Sequence, residues 1–259
     1  MLVKVMSNTK GVILCGGEGR RFRPLSFYIQ KVMVPIGSVE KPLLEYIVRL
    51  FKYHGITDLI FLVGYKSFQI WNYFGNGSRF GVKITYVRDN PLYGGNGGAL
   101  YNAFLKNVIK EEDTIIIYYG DILSNINLRE LLKESEDAIA TVAVSKKYKI
   151  PVGVVEIENS RVRSIREKPD LRLPVTIGVL ALKGKVKEIL DEIAKEKNKI
   201  DIMGDIIPAI VEKYNSVKAY LFKGFWYDVG SIEKFEKLDN GMIDTYLGFL
   251  FKEEKLDLI

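Results

Sequence analysis

A rhythm constrains this chain more than any single residue. Short β-branched and aromatic runs at Val12 to Cys15, Leu59 to Val63, Val82 to Val87 and Ile115 to Tyr119 are separated by amphipathic stretches at Leu44 to Tyr53, Phe68 to Phe74 and Ala99 to Val108. Strands alternating with helical patterns imply crossover connections, which parallel strands require, so the first half predicts a mostly parallel sheet covered by helices. The most legible helix spans 42–54, with Pro42 in its first turn, Leu43, Leu44, Ile47, Leu50 and Phe51 on one face, and Gly55 past its end. After Asp137 strands crowd closer, at Ile139–Val144, Val152–Ile157, Val162–Ile165, Val175–Leu182 and Val217–Phe222. Helices are expected near 185–195, 205–214 and 231–238, with a last one over 242–254. The predicted class is α/β, a Rossmann-like mixed, mostly parallel sheet flanked by helices. It forms one unit with two lobes, about 10–136 and about 137–240, and the cleft between them lies outside the carboxyl ends of the parallel strands.

Composition narrows the chemistry. With 47% hydrophobic and 27% charged residues over 259 positions, a disordered scaffold is excluded. No apolar run approaches the roughly 18 residues that span a bilayer, and no signal-peptide pattern opens the chain, so a cytoplasmic protein without a membrane segment is expected. One cysteine, Cys15, and one histidine, His54, leave no intrachain disulfide and no Cys- or His-rich metal framework. Reactions must rely on Asp, Glu, Lys and Arg. The net charge of +6 favours an anionic partner. Basic residues are dispersed, the densest group being Lys146, Lys147 and Lys149, which argues for a small phosphorylated ligand rather than nucleic acid.

The sharpest motif, Gly16-Gly17-Glu18-Gly19-Arg20-Arg21-Phe22-Arg23-Pro24-Leu25, follows the first apolar strand. Glycines let backbone amides approach phosphate, and guanidinium groups add bidentate donors for its oxygens. A dinucleotide fingerprint would need a third glycine at Phe22 and an acid after the second strand, where Gly64-Tyr65 stand; a nicotinamide-dependent oxidoreductase is therefore disfavoured, and the P-loop pattern is absent. Lys31, in an otherwise apolar stretch, either snorkels to water or points at an anion in the cleft. Gly120-Asp121 follows the apolar run Ile115 to Tyr119, where an acid faces the ligand crevice as a metal ligand; it lies too far upstream to cap the helix from Asn127 well. Asp228 is embedded in Phe225-Trp226-Tyr227-Asp228-Val229-Gly230, and acids among apolar residues are usually paired or bound to a cation. Two carboxylates suffice for Mg²⁺, which completes its shell with waters and phosphates. Glu167 and Lys168 alone would form a solvated surface pair.

Together these segments resemble the sugar-1-phosphate nucleotidyltransferases, the nucleotide-sugar pyrophosphorylases, over about residues 10–240. The family signature Gly-Gly-x-Gly-x-Arg-Leu-x-Pro-Leu appears as Gly16 to Leu25, its Pro-Lys segment as Gln30 to Gly37, its glycine-rich loop as Gly95 to Leu100, and its Gly-Asp, Glu-Lys-Pro and Trp-x-Asp-x-Gly elements as Gly120-Asp121, Glu167 to Pro169 and Trp226 to Gly230. The resemblance implies a nucleotide-binding lobe followed by a sugar-binding lobe, and attack of a sugar 1-phosphate on a nucleoside triphosphate with release of pyrophosphate. It makes Arg21 and Lys31 catalytic and Asp121 and Asp228 the magnesium ligands. It assigns Leu14, Gly16, Gly17, Gly19, Asp89 and Gly95 to the nucleotide, and Gly153, Glu167, Lys168 and Thr176 to the sugar phosphate. Gln30 stands where the family has Pro, Thr176 where an Asn is frequent, and Pro151-Val152 where an aromatic precedes the glycine. Arg88-Asp89-Asn90 occupies the place of the Gln that uridine and thymidine enzymes carry. Asp only accepts hydrogen bonds, which suits guanine or cytosine. The C-terminal β-helix of longer members is not expected, a homo-oligomer stays open, and an inactive nucleotide-sugar-sensing subunit is the alternative. Such a subunit would be expected to lack the arginine or an aspartate, and all are present.

Overall fold

The computed structural model describes residues 8–146, 148, 152–170 and 173–256; Lys147, Lys149 and Pro151 lie outside them. The first half alternates as its apolar rhythm requires. Strand β1 (Thr9–Leu14) leads through turns to the two-residue strands β2 (Pro35–Ile36) and β3 (Lys41–Pro42), then helix α1 (Leu43–Tyr53). There follow β4 (Asp58–Val63), α2 (Ser67–Phe74), β5 (Lys83–Arg88), α3 (Gly95–Leu105), β6 (Thr114–Tyr119), β7 (Ile122–Ser124) and α4 (Leu128–Glu134). The second half holds β8 (Ala140–Ser145), β9 (Val154–Glu158), β10 (Arg161–Arg166), β11 (Val175–Lys183), α5 (Val186–Glu196), α6 (Ile207–Tyr214), β12 (Val217–Leu221), β13 (Trp226–Asp228), α7 (Ile232–Glu236) and α8 (Asn240–Leu247).

Seven strands form one sheet in the order β12-β8-β11-β6-β1-β4-β5. β6, β1, β4 and β5 run parallel, while β11 is antiparallel to both its neighbours. The sheet is therefore mixed and mostly parallel, as expected. Its central strands are apolar on both faces because both faces are covered. Ile13, Leu59, Phe61, Ile116 and Tyr118 belong to one core, shared with α1 and α2. Val12, Ile60, Leu62, Ile115 and Ile117 belong to the opposite core, shared with α3, α5 and α6. The period of two along a strand thus divides one apolar run between two cores.

In α1 the expected stripe of Leu43, Leu44, Ile47, Leu50 and Phe51 is buried, each side chain contributing roughly 1.5–3 kcal/mol. Pro42 sits at the N-cap, one position before the helical turn expected of it, with extended backbone. The expected lobe boundary near 136–137 is no break in the sheet, since β8, β11 and β12 join β6 directly or through one another. What stands apart is the β9–β10 hairpin, a separate two-stranded sheet. Its residues show polar ion pairs Arg163–Glu158 and Arg166–Glu156 on exposed side chains. The helix expected at 205–214 opens with a wide π-turn, Ile202–Ile206, before α6. The expected helix over 242–254 is two pieces: α8 stops at Leu247, and a 3₁₀ segment, Gly248–Leu256, follows, consistent with glycine's poor α-helical propensity.

Candidate active site

β1 and β6 pair in parallel with Leu14 opposite Tyr119, so the segments leaving their carboxyl ends emerge side by side. Gly120 N–H donates to Leu14 O at 3.0 Å, which fixes Gly16-Gly17 next to Gly120-Asp121. From β4 and β5 come Gly64 and Asp89, Asp89 N–H donating to Val63 O at 2.9 Å. Together with the N-terminus of α3 they enclose a cavity of about 480 Å³, whose lining includes Leu14, Gly16, Gly17, Lys31, Asp89, Gly95 and Asp121. It lies at the carboxyl ends of the strands, where open α/β sheets bind ligands.

Two glycines make its walls possible. A Cβ on Gly64 would lie 2.0 Å from Asp89 Oδ2, so only a glycine lets that carboxylate fold over the β4 end. At Gly95, φ is +79° and a Cβ would meet Ile200 O at 2.2 Å, a conformation and closeness that L side chains avoid. Asn96 then braces the loop, its amide donating to Tyr119 Oη at 3.1 Å and accepting from Ile202 N–H at 2.7 Å. Partial burial raises the Asp89 pKa, and among the described residues no cation pairs with it. Cys15 lies beneath, its thiol pKa pushed up by burial and by the Asp89 charge, which keeps it an inert thiol.

The basic residues separate by role. Arg20 pairs with Glu18 at 2.8 Å, both side chains exposed, and Arg23 lies over the Phe27 ring. Arg21 turns instead toward Gly230, where a Cβ would lie 3.3 Å from its Nη2 and 2.6 Å from Asp228 Oδ1. Lys31, in a 3₁₀ turn whose Val32 and Met33 are buried, puts Nζ 2.5 Å from Asp121 Oδ2. It points into the cavity rather than snorkelling away. Asp121 does not cap α4, because Asn127 does so with its own side chain.

Backbone pairing joins the two aspartates. β13 runs antiparallel to β7 with Asp228 opposite Ile122, and Val229 N–H donates to Asp121 O at 2.8 Å. Lys234 Nζ pairs with Asp228. Lys234 does not stand out in the sequence, because acids and bases alternate along α7 and its C-cap, Glu233, Lys234, Glu236 and Lys237. Arg21 and Asp228 lie outside the cavity lining, beside Asp121 at its rim. Gly19 also stays outside it: at φ 61° it caps the 3₁₀ turn Arg20–Phe22, and Ser26 Oγ donates to its carbonyl at 2.9 Å.

Of the residues expected at the sugar phosphate, Gly153, Glu167 and Lys168 lie together, apart from Thr176 on β11. Glu167 lies against Gly153, where a Cβ would be 3.1 Å from Oε2, and Lys168 Nζ is 3.7 Å from Glu167 Oε1, both exposed. Thr176 is exposed on β11, two residues before Gly178, which packs against Tyr119 and Ile122 beside Asp121. Among the described residues no three His, Cys, Asp or Glu converge as a metal cage; Asp121 and Asp228, the two expected metal ligands, lie on adjoining backbone, each with a lysine partner. No helix among them is long and apolar enough to cross a membrane.

A crevice at the carboxyl edge of a mixed α/β sheet, lined by Lys31 and Asp121 with Asp228 on the adjoining strand, places the chain among the α/β proteins that bind ligands at strand ends. Residues 10–244 match the nucleotidyl transferase family, and the chain belongs to it. It is 28% identical over 251 residues to a UTP–glucose-1-phosphate uridylyltransferase of Synechocystis, covering 90% of this chain and 63% of that protein. It is 35% identical over 163 residues to a D-glycero-α-D-manno-heptose 1-phosphate guanylyltransferase of Aneurinibacillus thermoaerophilus, covering 61% of this chain and 67% of that one. The chain thus spans about two thirds of the length of these relatives. The crystal structure of HddC from Yersinia pseudotuberculosis shares the fold, with a TM-score of 0.67 at 24% identity over 88% of this chain and 96% of that one.

Proposed function

We propose that this chain transfers a nucleotidyl group from a nucleoside triphosphate to a sugar 1-phosphate, releasing pyrophosphate. The observation that carries the reading is the Lys31–Asp121 pair in the cavity wall, with Asp228 on the strand beside Asp121 and Arg21 reaching the Asp228–Gly230 turn, from segments as far apart in sequence as residues 21 and 228. A phosphomonoester has its second pKa near ~6, so the attacking oxygen is ionised at neutral pH and no general base is needed. This matches a site without a histidine, the single His54 being buried elsewhere against Arg129. The protein's task is to hold two polyanions in line and balance charge as pyrophosphate departs.

Gly16 and Gly17 offer backbone amides to the triphosphate, Arg21 its guanidinium, and Lys31 its ammonium near the phosphorus under attack. Gly153, Glu167, Lys168 and Thr176 receive the sugar 1-phosphate. Each aspartate is neutralised by a lysine, so the rim accommodates positive charge next to carboxylate oxygens, and the hard, oxygen-only donor pair fits Mg²⁺. Asp121 and Asp228 would hold the ion, which when bound supplies charge neutralisation of phosphate oxygens.

Asp89 sets the base. A carboxylate accepts only, so it favours the adjacent donors of guanine or the amino group of cytosine over uracil and thymine, whose single N–H is flanked by carbonyls. The test is a matrix of ATP, GTP, CTP, UTP and dTTP against hexose and heptose 1-phosphates, read by pyrophosphate release with and without magnesium. Release requiring both substrates supports the reaction, and its absence in every pairing refutes it.

A further inference from the structure

Gln30 is 1% exposed, with its side chain at the junction of three functional segments. Its Nε2 donates to Cys15 O at 2.7 Å and approaches Gly17 O at 3.5 Å, so it grips the backbone of the glycine loop on both sides of Gly16. Its Oε1 accepts from Val32 N–H at 2.6 Å and caps the 3₁₀ turn that begins at Lys31. The opposite amide orientation would set oxygen against two carbonyls and nitrogen against an N–H, so these partners define the orientation. The backbone is held as well: Gln30 N–H donates to Gln69 Oε1 at 2.7 Å, and Gln69 Nε2 donates to Tyr28 O at 2.7 Å. Two glutamines in series thus tie α2 to the lysine turn and the lysine turn to the glycine loop.

We propose that Gln30 is a positioning residue. Its buried amide fixes the spacing between the Gly16-Gly17 amides and the Lys31 ammonium, so that both address one triphosphate. The inference rests on the nucleotidyl-transfer reading for the identity of the ligand. A proline at this position could make none of these side-chain bonds; here the amide takes the place of ring stiffness. The specificity of the effect follows from what Gln30 touches. It orders the triphosphate side of the site and makes no contact with Gly153, Glu167, Lys168 or Thr176.

The test uses Gln30→Met, which keeps volume and removes the side-chain hydrogen bonds, and Gln30→Glu, which keeps the acceptor for Val32 but turns a carboxyl oxygen toward Cys15 O. Assays use the triphosphate and sugar 1-phosphate that the wild-type chain turns over fastest, well below each variant's Tm. Geometric misplacement of a substrate by about 1 Å can cost as much as ~100-fold. We expect KM for the triphosphate to rise about 10-fold and kcat to fall about 10-fold in both variants, with KM for the sugar 1-phosphate within about twofold. If Gln30→Met fails to fold, Gln69→Leu removes the second link and is expected to raise the triphosphate KM about threefold. Equal rises in both KM values, or unchanged kinetics in folded protein, would overturn the inference. Triphosphate Kd, measured by equilibrium dialysis, separates the two levels of the argument. Wild-type binding without pyrophosphate release refutes the reaction, while a Kd about 10-fold weaker in Gln30→Met still supports Gln30. A Kd unchanged between the two refutes the role of Gln30, and no triphosphate binding by the wild type refutes both.

Discussion

Lys31 Nζ and Asp121 Oδ2 stand 2.5 Å apart across 90 residues of sequence, each mostly shielded from water. The contact joins the turn after the glycine loop to the carboxyl end of β6, and it holds a cation against the acid at the cavity rim. An ion pair in this setting depends on both partners, since removing either leaves a partly desolvated charge.

Arg21→Ala and Lys31→Ala are expected to lower pyrophosphate release at least about 1,000-fold, because the proposed reaction relies on charge stabilisation of the transferred phosphoryl group. Circular dichroism of both variants should match the wild type. Near-normal turnover in either variant would remove that residue from the chemistry.

In the proposed reaction Asp89 is the residue assigned to the base, as an ionised carboxylate that only accepts hydrogen bonds. GTP or CTP should be turned over faster than UTP and dTTP, and Asp89→Asn, which adds a donor, should shift the ratio of kcat/KM toward UTP about 10-fold. Gly64→Ala should weaken nucleotide binding without changing sugar-phosphate KM, since its methyl group takes the place of Asp89 Oδ2. A wild-type preference for UTP or dTTP would refute the role given to Asp89.

The aspartate pair is expected to bind Mg²⁺ only weakly on its own and more strongly with triphosphate present. Calorimetry of the protein and nucleotide should show Mg²⁺ binding that weakens about 10-fold in Asp228→Asn. Identical titrations of wild type and variant would exclude Asp228 as a ligand.

Glu45 is 1% exposed, pairs with Arg49 at 2.7 Å and accepts from Tyr73 Oη at 2.6 Å. Glu45→Ala strips a shielded arginine of this carboxylate and should destabilise the protein by about 3 kcal/mol in urea unfolding. The KM values should stay at the wild-type level, because this network ties α1 to α2 and to Leu250 near the chain's end rather than to the cavity.

His54 has its pKa lowered from the ordinary 6.5 to about 4, first by burial and then by the nearby Arg129 charge. The folded state therefore prefers neutral His54, while the unfolded chain takes up a proton near 6.5. Its contribution is complete above pH 6.5 and is lost as pH falls toward 4, at up to about 1.4 kcal/mol per unit. His54→Gln should flatten this part of the stability profile, measured as the urea midpoint from pH 7 to pH 4. Parallel profiles for the two proteins would contradict it.

Legibility in the sequence follows the range of the physics. The strand runs Leu59 to Val63 and Ile115 to Tyr119, the α1 stripe and the loop after Leu14 were readable because each depends on neighbours within a few residues. Lys31 was ambiguous for the opposite reason: whether it snorkels or faces the site depends on Asp121, 90 positions away. The three arginines after Gly19 look equivalent in sequence. Only packing gives Arg20 to Glu18, Arg23 to Phe27 and Arg21 to the surroundings of Asp228. Gln30, marked in sequence only as an odd residue where the family has proline, becomes a three-way brace once β1 and α2 are in place.

The α/β class, the order of the glycine-rich and acidic motifs, and the reliance on carboxylates and cations are already written in the residues, because composition, period and turn chemistry are local properties of the chain. Tertiary structure alone decided which cation meets which acid. It also set Asp121 and Asp228 on adjoining backbone, through antiparallel pairing between strands that sequence distance does not reveal.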